Sequence, residues 1–417
     1  MNAFPRIGGE LHAERVPLAV IARDYGTPTF VYSKAALEAN YLAFDGAFAG
    51  LPHLTCYAMK ANGNLAILGL FARLGSGFDI VSGGELARVI AAGGDPSKVV
   101  FSGVGKTVPE MEAALRAGIR CFNVESEPEL ERLSQVATES ALPARVSFRV
   151  NPDVDARTHP YISTGLKENK FGVDIHGAPA LYRRAASLPG IEIVGIDIHI
   201  GSQIVELAPY REAALKVLDL VDALAGEGIR IHHIDLGGGL GIRYRDESPI
   251  AIADYAGMLA ELFAGRPETL VFEPGRRLVG DAGILLTRVE YLKTQADRDF
   301  AIVDAGMNDL LRPALYDAWH PVDPVVLREG MSRSWQVVGP ICESADFLAR
   351  DRALVLVPGD LLSIGACGAY AMAMSSNYNS RPRACEVMVD GETVLEVRRR
   401  ERIDALYADE TSFPGDA

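Results

Sequence analysis

The chain has 417 residues, a length that predicts two domains or one large barrel with an appended domain. Hydrophobic residues make up 48% of the chain and charged residues 23%, which excludes an intrinsically disordered or membrane-embedded protein. The formal net charge is -14, so nucleic acid and anionic membranes are not expected as partners.

Residues 54–273 alternate short apolar runs with amphipathic stretches. Eight of the runs have the length and composition of buried strands: 54–59, 77–81, 98–102, 119–123, 144–150, 191–199, 230–236 and 268–273. Eight strands, each followed by a helix, form the pattern of a (β/α)8 TIM barrel, an α/β fold. A doubly wound sheet is the competing interpretation, but it requires a dinucleotide-binding fingerprint that the start of the sequence lacks.

The chain after residue 283 has a different pattern, in which strand-like runs are separated by Gly, Pro and Asp turns. The predicted strands are 284–293, 300–304, 334–338, 360–363, 383–389 and 393–399. One further strand, 29–32, precedes the barrel strands. We therefore predict a barrel over residues 28–283 and a mostly β domain formed by residues 1–27 together with residues 284–417.

The cysteines and the amino terminus indicate the compartment. Five cysteines are scattered through the chain and none forms a C-x-x-C pair. An odd number without close spacing predicts reduced intracellular thiols, with neither a disulfide framework nor a metal site. The first ten residues lack the apolar core of a signal peptide, and no apolar run approaches membrane-spanning length. The sequence therefore predicts a cytoplasmic protein without a metal.

Polar residues directly after the predicted barrel strands are candidates for catalysis, because the active sites of such barrels lie at the carboxyl ends of the strands. Lys60 follows the first strand, where burial would favour a neutral, nucleophilic amine, as a Schiff-base lysine requires. The alternative is a lysine that extends to solvent. His199 follows the sixth strand and could stack on a planar cofactor, transfer protons or be purely structural. Ser202 could bind a phosphate or be a plain loop serine.

Two further groups of candidate residues follow the seventh and eighth strands. Gly237, Gly238 and Gly239 would let backbone amides approach an oxyanion, and the loop after the seventh strand of a barrel is a common phosphate site. Glu273 could pair with a pyridine nitrogen and keep it protonated, which makes pyridoxal phosphate (PLP) a strong electron sink. Arg276 could clamp a carboxylate. A flexible connection and an ordinary Glu–Arg ion pair are the alternatives.

A polar turn in the second domain contains Cys342 and Glu343. A cysteine in such a turn is a reasonable proton donor, although an incidental thiol is the simpler interpretation when the turn is considered alone. Cys367 lies close to Tyr370 in the sequence and is a second candidate thiol.

Together these residues resemble the fold-type III PLP enzymes, which include alanine racemase and eukaryotic ornithine decarboxylase, and the diaminopimelate decarboxylase family in particular. The resemblance covers nearly the whole chain, from Gly26 to its end. The resembling segments are YAMKAN (57–62), FDIVSGGE (78–85), HPYISTG (159–165), HIGSQ (199–203), EPGR (273–276), RPALY (312–316), GPICESAD (339–346), GAY (368–370) and SSNYN (375–379). Several independent motifs in the same order are far more specific than any single one.

The resemblance implies the residues of the cofactor site. Lys60 carries PLP, Asp79 contributes to the site, and His199 stacks on the ring. Glu273 pairs with the ring nitrogen. The residues implied around the phosphate are Ser202, Gly237, Gly238, Gly239, Gly275, Arg276 and Tyr370.

The resemblance also implies how the substrate is held and protonated. The residues implied for substrate binding are Arg276, Arg312, Tyr316, Glu343 and Tyr370. Glu343 binds the distal amino group, and Cys342 returns a proton to the carbon that has lost carbon dioxide. In this family Cys342 and Glu343 complete the active site of the neighbouring subunit, so an obligate homodimer is implied.

The expected reaction is the PLP-dependent decarboxylation of meso-2,6-diaminopimelate to L-lysine and carbon dioxide, the last step of lysine biosynthesis. The far end of this substrate is a zwitterion, which needs the cation and the anion that Arg312 and Glu343 would supply. The first alternative is a decarboxylase of another basic amino acid, such as ornithine, lysine, arginine or a carboxyspermidine. An amino-acid racemase and a non-catalytic homologue without PLP are the other two.

Overall fold

The computed structural model describes residues 2–155 and 170–413 of the chain. The chain forms two compact units, which we call the barrel unit (Glu38–Leu278) and the β unit (Met1–Leu37 with Val279–Ala417). The motif HPYISTG (159–165) lies outside the described residues. Within the described ranges, no helix combines the length and the apolar character needed to cross a membrane.

The strands of the described residues are short, with the longest in the β unit. In chain order they are β1 (Arg6–Ile7), β2 (Glu10–Ala13), β3 (Val16–Pro17), β4 (Thr29–Ser33), β5 (His53–Ala58), β6 (Gly77–Ile80), β7 (Val99–Phe101), β8 (Cys121–Val124), β9 (Ala144–Asn151), β10 (Val173–Asp174), β11 (Ile191–Asp197), β12 (His233–Asp235), β13 (Thr269–Phe272), β14 (Gly283–Lys293), β15 (Asp299–Val303), β16 (Val322–Pro324), β17 (Arg333–Val338), β18 (Phe347–Leu354), β19 (Leu361–Ile364), β20 (Cys385–Asp390) and β21 (Thr393–Arg398).

The α-helices of the described residues are concentrated between the barrel strands. In chain order they are α1 (Leu18–Tyr25), α2 (Lys34–Ala47), α3 (Leu65–Arg73), α4 (Gly83–Ala91), α5 (Val108–Ala117), α6 (Glu127–Ser140), α7 (Ala178–Ser187), α8 (Ala208–Gly226), α9 (Ile252–Leu262), α10 (Arg276–Val279) and α11 (Arg312–Tyr316).

The barrel unit contains a closed ring of eight parallel strands, in the order β5, β6, β7, β8, β9, β11, β12 and β13, and β13 pairs with β5. A helix follows each strand of the ring. All eight strands predicted from the sequence are present within a few residues, so the prediction of a (β/α)8 barrel is confirmed. The sequence signal was strong because parallel strands covered by helices are buried on both faces and consist of continuous apolar runs.

The barrel helices begin and end at residues that satisfy the free backbone groups of helix ends. The Ser82 hydroxyl accepts a hydrogen bond from the Glu85 amide at the start of α4. At the start of α5, Thr107 and Glu110 form a reciprocal capping box. The same helix ends at Gly118, which has a φ of 68°. Such caps satisfy groups that no helical partner reaches and so fix where each loop leaves its helix.

Side chains from several strands meet inside the barrel. Cys56, Val100, Cys121 and Val271 belong to one buried cluster. The imidazole of His233 lies next to it, with its Nε2 atom 3.8 Å from Cys121 Sγ. Burial lowers the pKa of His233 to about 3, so the ring is neutral at physiological pH.

The β unit is organised around a sheet in which seven strands follow one another in the order β18, β17, β15, β14, β4, β20 and β21, while β19 also pairs with β14. A separate three-stranded sheet consists of β1, β2 and β3. The six strands predicted for this part of the chain are present. The short strand β16 and the strand β18 were not predicted, because charged residues at 350–352 interrupt the apolar alternation of β18.

The strand β4 occupies the centre of this sheet. It pairs antiparallel with β14 and parallel with β20, and all five of its residues are buried. The range predicted for the barrel began at residue 28 and therefore included β4, whereas the structure pairs this strand within the β unit. An apolar run just before the first barrel strand carries no information about which sheet it joins, which explains the difference.

We expect the substitution Gly195→Ala to destabilise the barrel unit. A Cβ atom at Gly195 would lie 2.2 Å from Nε2 of the His233 ring, which is buried. Overpacking of this kind costs about 1–3 kcal/mol. Thermal unfolding followed by circular dichroism should therefore show a lower melting temperature than in the wild type.

A matched control for this substitution is Gly46→Ala in α2. A Cβ atom at Gly46 would have no heavy atom within 4 Å. Alanine also favours the helix, so this variant should be as stable as the wild type or more stable. Equal melting temperatures for the two variants would contradict the packing of His233 against Gly195.

Candidate active site

The amine predicted as the cofactor lysine lies just beyond the first barrel strand. Lys60 is in the 3-10 turn Met59–Ala61, which directly follows β5. Its Nζ atom forms a salt bridge with the carboxylate of Asp79 in β6, which is fully buried, while the lysine side chain is 34% exposed. The amine is therefore held between a buried anion and the open end of the barrel, where a small molecule can reach it.

Buried carboxyl groups crowd the same end of the barrel. Asp197 ends β11, Asp235 ends β12, and Glu273 directly follows β13. One oxygen of each lies within 4.8 Å of an oxygen of the other two. Oxygens at this spacing could ligate a divalent cation or share protons, and shared protons are what burial of several like charges favours.

The crowding raises the pKa of these groups. Burial, followed by the charges of Asp235 and Asp79, holds the pKa of Glu273 well above its usual range. Burial also raises the pKa of Asp235 to about 7 and that of Asp197 well above its ordinary value. Burial and crowding thus favour the protonated form of Glu273, a carboxyl group that suits a basic ring nitrogen placed beside it.

His199 provides a neutral planar surface near the lysine. It follows β11, and its Nδ1 atom accepts a hydrogen bond from the backbone N–H of Gly238 at 3.3 Å. Burial, together with the positive charges of Arg149 and Lys60, holds the pKa of His199 well below its usual range. A neutral imidazole with Nδ1 as acceptor presents a flat face without a charge, which suits stacking on an aromatic ring.

The glycine triplet after β12 lies where backbone segments come very close together. A Cβ atom at Gly238 would lie 2.2 Å from the carbonyl oxygen of Glu273, and one at Gly239 would lie 2.3 Å from that of Gly201. The amide of Gly237 donates a hydrogen bond to Asp235 at 2.8 Å. Only glycine permits this close approach, so the triplet lets this loop pack directly against the loops that follow β11 and β13.

A buried guanidinium group completes this end of the barrel. Arg276 is 7% exposed and donates hydrogen bonds to Ser202 Oγ at 3.0 Å and to Tyr244 OH at 2.6 Å. A cation beside hydroxyl groups and backbone amides is a suitable environment for a phosphate or carboxylate. Tyr244 was not predicted, because one tyrosine in a long loop after β12 has no distinguishing pattern in the sequence.

The β unit carries a second group of predicted residues on the turn between β17 and β18. The amide of Cys342 donates a hydrogen bond to Asn379 Oδ1 at 2.9 Å, and Tyr378 OH donates one to Glu343 Oε1 at 2.5 Å. Buried Asp346 accepts the amide of Ile341 at 2.8 Å. The turn is therefore held in one shape, while the side chains of Cys342 and Glu343 are exposed.

The other predicted residues of the β unit lie on α11 and near its carboxyl-terminal strands. Arg312 begins α11 and is buried, whereas Tyr316 ends the helix and is half-buried. Tyr370 is half-buried and has a φ of 55°, a strained value for a tyrosine. The sequence therefore identified two groups of candidates, each of which the structure places within one unit.

The two candidate thiols differ in their environments. All five cysteines lie within the described residues, and Cys342 alone among them is exposed. Cys367 is buried, and burial raises the pKa of its thiol to about 12. A buried thiol that holds its proton this tightly is a poor proton donor at neutral pH, so the environments favour Cys342.

The chain is similar to one group of known proteins along almost its whole length. Residues 34–280 match the family described as pyridoxal-dependent decarboxylase, pyridoxal binding domain. The chain is 60% identical over 414 residues to a diaminopimelate decarboxylase of Pseudomonas aeruginosa, which covers 99% of this chain and 100% of that protein. The chain is also similar to the crystal structure of diaminopimelate decarboxylase from Helicobacter pylori complexed with L-lysine, with 41% identity, a TM-score of 0.91 and coverage of 94% of this chain and 99% of that one. The diaminopimelate decarboxylase structure from M. jannaschii in complex with L-lysine gives 37% identity, a TM-score of 0.94 and coverage of 99% and 98%.

We expect one thiol per chain to react rapidly with a disulfide reagent in the native protein. Cys342 is exposed and the other four cysteines are buried, so Cys342→Ala should remove the rapid reaction. Cys367→Ala is the control and should retain it. The release of thionitrobenzoate from Ellman's reagent, before and after unfolding, gives both counts. Rapid reaction of one thiol in the Cys342 variant would contradict the assignment.

Proposed function

Because the chain belongs to the diaminopimelate decarboxylase family of the pyridoxal-dependent decarboxylases, we propose that it converts meso-2,6-diaminopimelate to L-lysine and carbon dioxide with PLP as cofactor. This reaction is the last step of lysine biosynthesis. The observation that carries the proposal is the convergence of Lys60 and the buried carboxyl group of Glu273 on one end of the barrel, beside the glycine loop 237–239.

The residues at this end of the barrel fit the cofactor. Lys60 supplies the amine that would attach it, and the flat, neutral imidazole of His199 suits its ring. The glycine loop with Arg276 and Ser202 suits its phosphate. When bound, PLP supplies an electron sink for the pair of electrons that remains when carbon dioxide departs.

Glu273 governs how strong this electron sink is. The pKa of its carboxyl group is raised because the site is buried and the neighbouring carboxylates repel a further negative charge. With PLP bound, Glu273 would pair with the ring nitrogen and would favour its protonated form. A fully protonated ring favours decarboxylation over racemisation, in which a weaker electron sink is typical. This argument disfavours the racemase alternative.

The β unit supplies the groups proposed to read the substrate. Arg312 would hold the carboxylate at the far end and Glu343 the amino group beside it, with Tyr316, Tyr370 and Arg276 as further contacts. A substrate without the distal carboxylate would leave a buried guanidinium without its anion, at a cost in affinity. These charges favour diaminopimelate over ornithine, lysine and arginine as the substrate.

We also propose that the enzyme acts as a homodimer, in which Cys342 and Glu343 of each subunit complete the site of the other. The exposure of both side chains on a well-anchored turn supports this proposal. In this arrangement, the thiol of Cys342 donates a proton to the carbon that has lost carbon dioxide. The cytoplasmic location expected from the sequence stays a prediction.

The substrate is tested with a panel of amino acids. We expect the purified protein with PLP to release carbon dioxide and L-lysine from meso-diaminopimelate much faster than carbon dioxide from ornithine, arginine or lysine. The LL isomer should also react poorly, because its reacting centre has the opposite configuration. Lys60→Ala, which removes the attachment point, should be inactive and serves as the blank. Faster turnover of another basic amino acid would overturn the substrate assignment, and interconversion of enantiomers without carbon dioxide loss would indicate a racemase.

We expect Cys342→Ala to lower kcat by about 10²–10⁴-fold, the usual contribution of a positioned general acid or base. The absorbance of bound PLP should remain, because the cysteine does not hold the cofactor. Cys367→Ala is the matched control and should keep both rate and absorbance. A normal rate in the Cys342 variant would remove the proposed proton donor.

A further inference from the structure

The buried side chain of Arg312 has a histidine as a partner. Its Nη1 atom lies 2.9 Å from Nε2 of His320, and both residues are buried, with His320 fully so. The other ring nitrogen, Nδ1, lies 2.9 Å from the carbonyl oxygen of Gly365. His320 therefore links the guanidinium group of α11 to the backbone that follows β19.

These two contacts determine the protonation of the imidazole. The carbonyl oxygen of Gly365 only accepts hydrogen bonds, so Nδ1 of His320 carries the proton. The guanidinium group of Arg312 only donates, so Nε2 is the acceptor. A second proton on His320 would place two positive charges in contact without solvent, which burial strongly disfavours. The histidine is therefore neutral and held in one orientation from both sides.

We propose that His320 is a positioning residue that aims the Arg312 guanidinium at the distal carboxylate of the substrate. This inference rests on the proposed function, in which Arg312 binds that carboxylate. A neutral acceptor suits the task, because it fixes one nitrogen of the guanidinium group without cancelling its charge. A carboxylate in the place of His320 would compete with the carboxylate of the substrate for the same cation.

The spacing of Arg312 and His320 in the sequence fits this positioning role. Arg312 lies at the start of α11 and His320 lies eight residues later, after the helix has ended at Tyr316. The hydrogen bond therefore closes the short segment between them and fixes the start of the helix. This buried hydrogen bond therefore helps to fix the position of the charge that would bind the substrate.

Two polar substitutions distinguish positioning from general stabilisation. In His320→Gln, the amide oxygen can occupy the place of Nε2 and accept from Arg312. In His320→Asn, the shorter amide can still donate to the Gly365 carbonyl but cannot reach Arg312. Both variants keep a buried polar group, and each should be checked for a normal circular dichroism spectrum and bound PLP. His232→Asn is the matched control, because His232 is exposed at the edge of the barrel unit.

The measurements compare ligands that have, or lack, the carboxylate that the reaction leaves in place. L-lysine keeps this group, whereas 1,5-diaminopentane lacks it. We expect His320→Asn to raise both KM for meso-diaminopimelate and the inhibition constant of L-lysine by about tenfold to a hundredfold, the range for a lost hydrogen bond to a charged group. Inhibition by 1,5-diaminopentane should be unchanged, kcat should change much less than KM, and His320→Gln should recover most of the loss.

Several outcomes would overturn the proposal. It fails if the Asn variant binds L-lysine as the wild type does, if Asn and Gln are equally impaired, or if inhibition by L-lysine and by 1,5-diaminopentane weakens equally. Each of these results is measured against an active wild type, so it leaves the proposed function intact. Lack of activity of the wild type on meso-diaminopimelate is a different result, which would overturn the proposed function itself.

Discussion

The site depends on the repulsion between carboxyl groups that the barrel buries together. Parallel strands that close into a ring bring their carboxyl ends together, and here β11, β12 and β13 are each followed or ended by an acidic residue. Water cannot screen these charges, so the pKa values of the three carboxyl groups lie above those of carboxyl groups on the surface. Barrel closure thus favours the protonated form of Glu273, although the nearby charge of Lys60 acts in the opposite direction.

The sequence was most informative where one physical signal dominated. The barrel was predictable because eight apolar runs recur at regular intervals, and strand ends then identified Lys60, His199 and Glu273 as candidates. The sheet to which β4 belongs could not be predicted, because its partners are distant in the sequence and an apolar run does not show which strands it will pair with. The family resemblance supplied the roles of these residues, which position alone left open between a functional and a purely structural interpretation.

Contacts between side chains could not be predicted from the sequence for a related reason. The hydrogen bond from Tyr378 to Glu343 joins residues from separate segments, and neither residue type demands such a partner. The same is true of Asn379 and Cys342, although the motif SSNYN had already marked this segment as a point of resemblance. A motif without an evident chemical role can thus be a support for residues that have one, and only coordinates reveal which residues it supports.

The central position of β4 in its sheet has a consequence for how the chain is made. During synthesis this strand leaves the ribosome long before either of its partners, and β20 lies near the end of the chain. The barrel unit between them contains all of its own strands and can fold while translation continues. One edge of β4 must therefore wait unpaired until β14 emerges, and the other until β20 emerges near the end of the chain, which exposes this strand to aggregation while the chain is incomplete.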